Sequence, residues 1–520
     1  MKKNLTNTSK EVYQRFRQHS FAELWQREVP SFNQASPEKK LENVGLIRAL
    51  GVVCHESGTD EEKAQLRSWL LELLHDPVEK VRRYAMAALP KIGAGTHDEA
   101  ALLNLLKTTT LQREKKFLSQ TLDKIGGSAT LELLENSDDL SIQTEQKIKA
   151  SVARQLDIGS VNMTNVLPIA TDLSALRIHL RCRRGLETFV QDEILSSPQT
   201  KDRFIIQKVS PALVVLTPIQ TFSLADLYTL RCFKTLGLVL GQVPENKGKQ
   251  NLSSLAQLIS SPWAQTFLKN FTNGAYRYRL ELIGKGAQRG AVRLIVNEAY
   301  ERCPEILNDP RQALWSVDVY PAKQGNWVEL RPRLSPDPRF SYRIQDIPAA
   351  SHPPLAACMV RLAGLADNEI VWDPFCGSGL ELIERALQGG VKHLYGTDLS
   401  AEAIAISQTN LNAATLPKLA STFTCCDFRD YEMIKGLEAN QVSLIITNPP
   451  MGRRVPIPDL QNMIKTFFEV AVKVLRPGGR LVFANPLKLE PTCAGLRLEY
   501  RQAIDLGGFE AKLEMYRKKA

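Results

Sequence analysis

No run of about 18 apolar residues interrupts this chain of 520, so a membrane-spanning helix is not predicted. The opening Met1-Lys2-Lys3-Asn4-Leu5-Thr6 is basic but lacks the apolar stretch a secretory signal needs, and a cytoplasmic location is expected. Cysteine is sparse and poorly spaced for metals: nine thiols are scattered, and the only neighbours, Cys425 and Cys426, are adjacent rather than separated as Cys-x-x-Cys. Neither a zinc site nor a disulfide framework is suggested, and no metal is expected. An acidic excess is also missing. The net charge of +10 favours polyanion partners, because each neutralised phosphate releases counterions. What is present, 43% apolar and 23% charged residues, is ordinary for a folded protein, and the length exceeds what one core supports. Three or four domains are expected.

The first segment reads as successive helices. Between Leu71 and Gly93, Asp76-Pro77 makes a turn and helix start, and Val81, Tyr84, Ala85, Ala88 and Leu89 form one apolar stripe at helical spacing. The ending Ile92-Gly93 recurs 33 residues later as Ile125-Gly126, and a looser Leu50-Gly51 precedes it. Such recurrence predicts helical hairpins that bury their faces on one another. Asp76, Pro77, Val81, Arg82, Ala85 and Ala88 resemble the spacing of HEAT repeats, which implies an α-solenoid over 1–160 able to hold a protein partner or RNA. Gly159, Asn162, Asn165 and Pro168 mark a linker near Asp157 to Ser174.

From Leu176 the pattern changes to short strands among helices. Leu176 to Cys182 alternates like a strand, Gly185 to Leu195 is helical and Ala212 to Thr217 is again β-like, predicting an α+β module over 175–245. A second small α/β module is predicted over 250–345, from Tyr276 to Ile283, a helix near Gly290 to Tyr300, and strands at Trp315 to Tyr320 and Trp327 to Leu330. Over 350–520, strands at Ile370 to Trp372, His393 to Gly396, Thr422 to Cys425, Ser443 to Thr447 and Arg480 to Ala484 alternate with helices. One helix ends near Leu475 at Pro477-Gly478-Gly479. This is the pattern of an α/β doubly wound, Rossmann-like domain whose ligands lie beyond the carboxyl ends of its strands.

The chemistry concentrates at those ends. Asp373-Pro374-Phe375-Cys376-Gly377-Ser378-Gly379 follows the first strand and opens a helix, so glycines and free helix N–H groups meet a ligand there. Asp373, Phe375, Gly377, Ser378 and Gly379 are therefore candidate cofactor contacts. Asp398, 25 residues after Asp373, ends the second strand where a carboxylate takes ribose hydroxyls. Asp427 ends the third strand, placed either to meet an adenine amine, with Phe428 beside the ring, or to cap a helix. After the fourth strand come Asn448, Pro449, Pro450 and Met451. The Asn448 amide oxygen and the Pro449 carbonyl can accept both N–H bonds of an exocyclic amine and turn its lone pair toward a methyl donor. Proline stiffens the loop that holds these acceptors.

Asp373 to Gly379 and Asn448 to Pro450 resemble motifs I and IV of class I amino-methyltransferases. The wider chain resembles the THUMP-containing RNA guanine-N2 methyltransferases from roughly Leu176 to its end. Arg184 to Glu187 with Asp192 to Ile194 resemble the opening of that family's ferredoxin-like domain, and Leu227 to Leu236 its closing helix. Ser341 to Arg343, Pro353 to Ala357 and Arg361 to Leu365 resemble the junction into the catalytic domain. The resemblance implies S-adenosyl-L-methionine as cofactor, RNA as substrate, and methylation of guanine N2 in transfer or ribosomal RNA. Two positions depart from it: Met451 stands where an aromatic residue is usual, and Leu380 where threonine is usual. A non-catalytic RNA-binding or assembly factor and a DNA adenine methyltransferase remain the alternatives. Candidate phosphate contacts are Arg331, Arg333, Arg339 and Arg343, the group Arg181, Arg183 and Arg184, and Arg453 with Arg454 beside the catalytic loop.

Overall fold

The computed structural model describes residues 11–135, 142–157, 159–167, 173–244, 249–284, 288–348, 350–452, 457–487 and 493–520. Contacts divide the chain into two compact units, Met1–Ser160 with Gln242–Val328 and Val161–Gly241 with Glu329–Ala520. Pro168, in the expected linker, lies outside the described residues.

In the first unit, helices Gly45–Ser57, Asp60–Glu72, Glu79–Ala88, Glu99–Thr108 and Gln112–Ile125 follow one another around a shared core. Thr59 and Glu62 form a capping box that starts Asp60–Glu72. The stripe on Glu79–Ala88 is buried at Val81, Ala85 and Ala88, with Tyr84 half-buried. Arg82 crosses to Glu114 on Gln112–Ile125 at 2.5 and 3.1 Å, joining neighbouring helices. Leu50-Gly51 does not end a helix. It lies within Gly45–Ser57, where a Cβ on Gly51 would come within 3.1 Å of the Ala88 Cβ, so that glycine serves close helix packing. Helix Ile142–Leu156 then docks on an α/β part: Tyr300 donates to Glu145 at 2.8 Å and Arg154 pairs with buried Asp309 at 2.8 Å. There Arg277–Leu282 runs parallel to Trp315–Ala322, with helix Arg289–Arg302 between them in sequence.

The second unit begins with strands β1 (Ile178–Arg181), β2 (Phe204–Ser210), β3 (Leu213–Pro218) and β4 (Thr235–Val243) and helix α1 (Glu187–Ser196). They form the antiparallel order β2-β3-β1-β4. The closing helix expected over Leu227 to Leu236 is only Leu224–Leu227, and β4 already starts at Thr235. The reason is a contact from far away in sequence: the buried Glu193 carboxylate accepts the backbone N–H groups of Arg231 and Cys232, both at 2.8 Å, and draws them out of any helical ladder.

The rest of this unit is an open sheet of seven strands: β5 (Glu369–Asp373), β6 (Val391–Asp398), β7 (Ala420–Cys425), β8 (Val442–Thr447), β9 (Leu475–Asn485), β10 (Leu496–Asp505) and β11 (Glu510–Lys518). Their order is β7-β6-β5-β8-β9-β11-β10. The first five pair in parallel, and β11 runs antiparallel to both β9 and β10. Every residue of β8 is buried, as expected for a parallel strand covered on both faces. Helix α5 (Leu460–Val474) sets Ile464, Phe467 and Phe468 against Trp372, Ile445, Leu481 and Phe483. Helices α2 (Pro353–Ala363), α3 (Leu380–Leu387) and α4 (Ala401–Ala413) supply the other connections. Pro477-Gly478-Gly479 does not merely stop a helix: α5 ends at Val474 and these residues lie inside β9. From β5 the chain winds outward through β6 and β7, then returns to β8 on the opposite side, so the sheet reverses direction between β5 and β8. A crevice opens at that point.

Candidate functional site

The crevice is built by two adjacent strand ends. Val371 pairs with Leu444 and Trp372 with Ile445, so Asp373 and Thr447 finish side by side. Thr447 Oγ1 donates to Asp373 Oδ1 at 2.5 Å, and Phe375 N donates to the same carboxylate at 3.0 Å. Asp373 is fully buried, and its other oxygen has no partner among the described residues. Burial, reinforced by Glu381, pushes this carboxyl well above its usual range. Its contacts bend the loop that follows rather than face the cavity.

In that loop Gly377 and Gly379 have φ of 51° and 83°, the left-handed region that glycine occupies without strain. A Cβ on Gly379 would also lie 2.9 Å from the Ser407 Cβ. Asp398 at the end of β6 accepts Gly377 N at 3.0 Å and Ser400 N at 2.9 Å, one on each oxygen. The carboxylate thus staples the glycine loop to β6 while each oxygen keeps a second acceptor site.

A cavity of about 980 Å³ lies over these ends. It brings together Phe375, Gly377, Ser378, Asp398, Asp427, Phe428 and the run Asn448 to Met451. Asp373 and Gly379 stand behind its wall and shape the loop. Phe375 and Phe428 pack with centroids 5.0 Å apart. Asp427 does cap the turn after β7: it accepts Arg429 N at 2.9 Å and pairs with the Arg429 guanidinium at 2.8 Å. Asn448 donates from Nδ2 to Ser351 Oγ at 2.8 Å, and its buried Oδ1 has no partner among the described residues. Pro449 and Pro450 contribute no N–H to that loop.

Arg339 is corrected from phosphate contact to interior support. It is 5% exposed, pairs with Asp337 at 2.7 Å, donates to the Phe233 carbonyl at 2.8 Å and stacks on the Phe233 ring at 4.0 Å. Arg343 pairs with Asp346, while Arg331 and Arg333 are half-buried and none of these three lines the cavity. Arg453 and Arg454 lie outside the described residues.

Several cavity residues escaped the sequence reading: Ser351, Glu381, and the turn at Leu506, Gly507 and Phe509 between β10 and β11, while His352, which in sequence reads as a structural or surface residue, also lines the cavity. No local pattern links Ser351 to Asn448, which stands 97 positions away. Arg183 was visible only as one of a basic group, yet it reaches the cavity beside the carbonyl of Asp505. Burial, and then the charges of Arg183, Lys234, Arg343 and Arg339, bring the His352 imidazole down to about 3. The cavity therefore has the Asp398 carboxylate on one side, with the Glu381 carboxyl nearby pushed up by burial, and a cationic corner around a neutral histidine. Among the described residues no group of His, Cys, Asp and Glu is placed to hold a metal, and no helix is long and apolar enough to cross a membrane.

A family model described as RMKL-like, methyltransferase domain, matches residues 341–503. A tRNA (guanine(10)-N2)-dimethyltransferase of Methanocaldococcus jannaschii is 32% identical over 144 residues, covering 28% of this chain and 40% of that protein. A Methanothermococcus thermolithotrophicus protein, named as a probable enzyme of the same kind, is 30% identical over 136 residues, covering 26% of this chain and 81% of its own length. The match thus spans less than half of the first relative and most of the second. Among solved structures, TrmN from Thermus thermophilus superposes with a TM-score of 0.52 at 20% identity, over 66% of this chain and 99% of that one. That likeness concerns the fold.

Proposed function

Because the chain belongs to the RMKL-like methyltransferase family, we propose that it transfers a methyl group from S-adenosyl-L-methionine to N2 of a guanine in transfer or ribosomal RNA. One observation carries the reading: the buried Asn448 Oδ1, without a partner among the described residues, on a proline-stiffened loop that shares a cavity with the Asp398-stapled glycine loop. An orphaned buried acceptor is costly unless a ligand satisfies it, and an amine N–H does so.

The residues fit an adenosine-type cofactor. Asp398 presents its spare acceptor sites for ribose hydroxyls, and Gly377 with Ser378 lets backbone approach closely. Phe375 and Phe428 offer an apolar wall, with Asp427 at the end of β7 for an adenine amine. When bound, the cofactor supplies an electrophilic methyl group. Asn448 Oδ1 and the Pro449 carbonyl accept hydrogen bonds from the amine's two N–H groups, orient its lone pair, and exclude water from that position. No strong base is needed, since methylation makes the amine acidic and its proton leaves to solvent. Met451 lies on the cavity where its polarizable sulfur can meet a base face. A base within a helix must first be flipped out to reach Asn448.

The domain assignment forms part of this reading: 1–160 as HEAT-like repeats, 175–245 as ferredoxin-like, 250–345 as THUMP-like and 350–520 as catalytic. The helical stack, the β-α-β-β-α-β order around β1 to β4 and the small α/β part support it. The first three would grip RNA, and the helical stack is the candidate surface for a protein partner. The test is transfer of labelled methyl groups to unmodified transfer RNA, ribosomal RNA and DNA by wild type, Asn448→Ala and Asp398→Ala. Label in guanosine N2 with wild type alone is expected. Cofactor binding without transfer to any RNA would favour a non-catalytic factor, and label in DNA adenine would replace the proposed substrate.

A further inference from the structure

We propose that Ser351 is a positioning residue that fixes the amide orientation of Asn448, the inference resting on the amine-methylation reading above. Ser351 lies just before α2, far from Asn448 in sequence, yet its Oγ accepts the Asn448 Nδ2 hydrogen at 2.8 Å. The buried Glu381 carboxyl at the start of α3 lies beside this serine, which offsets part of the upward push that burial gives that carboxyl. A serine hydroxyl has one proton and two lone pairs. With Ser351 Oγ as the acceptor, the amide turns Nδ2 toward the serine. Oδ1 then stays buried on the other side, with no partner among the described residues. The opposite orientation would set two N–H groups against an incoming amine, which donates rather than accepts.

The surroundings reinforce this choice. Helix α2 begins Pro353-Pro354, so its first two positions carry no N–H that could capture Oδ1. Pro449 and Pro450 likewise remove two donors from the catalytic loop itself. Ser351, Asn448 and Glu381 all line the one cavity.

The full-length chain is compared with Ser351→Ala and Ser351→Thr. For Ser351→Ala, kcat falls about tenfold to a hundredfold while KM for RNA and the Kd for S-adenosylmethionine hold, because the loss is of orientation in the reacting complex. Ser351→Thr, which keeps the hydroxyl, restores most of kcat. A kcat unchanged in Ser351→Ala, or a loss matched in cofactor affinity and not restored by threonine, overturns the proposal. A second readout is independent of turnover. With selective ¹⁵N-asparagine labelling, and Asn448→Asp to identify the resonance, the Asn448 side-chain amide protons exchange faster with solvent in Ser351→Ala than in wild type. Equal exchange in the two proteins overturns the proposal even where wild type methylates no RNA, an outcome that by itself counts only against the substrate reading.

Discussion

Replacing Asp398 by asparagine separates the two duties of one carboxylate. In the native protein each oxygen accepts a backbone N–H, from Gly377 at 3.0 Å and Ser400 at 2.9 Å, and keeps a second site toward the cavity. Asparagine retains one oxygen and turns an NH₂ group toward the other backbone donor. The charge is lost, and one staple is replaced by a clash of donors. A hydrogen bond to a charged group contributes about 1.5–3 kcal/mol, and a tenfold change in affinity corresponds to about 1.4 kcal/mol. Loss of one ribose contact therefore weakens S-adenosylmethionine binding by roughly ten- to a hundredfold. Isothermal titration with S-adenosylmethionine and S-adenosylhomocysteine measures this, alongside thermal melting to register the broken staple. Cys425→Ser, at an exposed position on the next strand end, serves as the control and leaves both quantities unchanged. An Asp398→Asn protein that melts like wild type and binds within about twofold of it would refute both duties.

Three further outcomes are expected. Gly379→Ala combines about 1–2 kcal/mol of left-handed strain with the 2.9 Å approach to Ser407, so urea unfolding shifts by about 2 kcal/mol or more. Adding Ser407→Gly recovers part of that loss, and strict additivity of the two costs would show that the contact is not the cause. Glu369, fully buried beside Arg385 at 2.8 Å and also paired with Arg480, holds two guanidinium groups under the sheet; Glu369→Gln lowers unfolding stability by about 3–5 kcal/mol. His352 titrates near 3 when folded and near its ordinary 6.5 when unfolded. Between those values the unfolded chain binds the extra proton, so this histidine's contribution is intact above 6.5 and is lost as pH falls. His352→Gln therefore flattens the acid side of the stability profile, and profiles of equal slope would contradict the burial argument.

Sequence periodicity located the five parallel strands of the sheet, because parallel strands buried on both faces read as short apolar runs between turn signals, whereas the antiparallel β10 and β11 went unread because their mixed, half-exposed faces give no such run. The glycine loop, the carboxylate 25 residues on and the Asn-Pro-Pro run were legible because each sits at a strand end, and topology collects strand ends. What stayed hidden depends on partners distant in sequence. Glu193 suppresses a helix near Arg231 through two backbone bonds that no local pattern announces. Arg339 looked like one more surface cation, but three aromatic rings and several carbonyls absorb it. Gly51 imitated a helix end because a glycine serving close packing looks the same in sequence as one ending a helix. Ser351 carried no signal at all before the fold brought it to Asn448.

The hydrogen bond from Thr447 to Asp373 joins the two loops of the site at their roots. Two neighbouring strands so tied cannot splay apart at that end without breaking a buried bond, so the gap between donor side and acceptor side behaves as a fixed gauge. On the proposed RNA substrates, adjustment falls to parts anchored elsewhere, the Leu506 to Phe509 turn and Arg183. Under the proposed reaction, such a site selects its base by what can be delivered to an invariant opening, and widening substrate range by engineering would start from the rim rather than from the two loops.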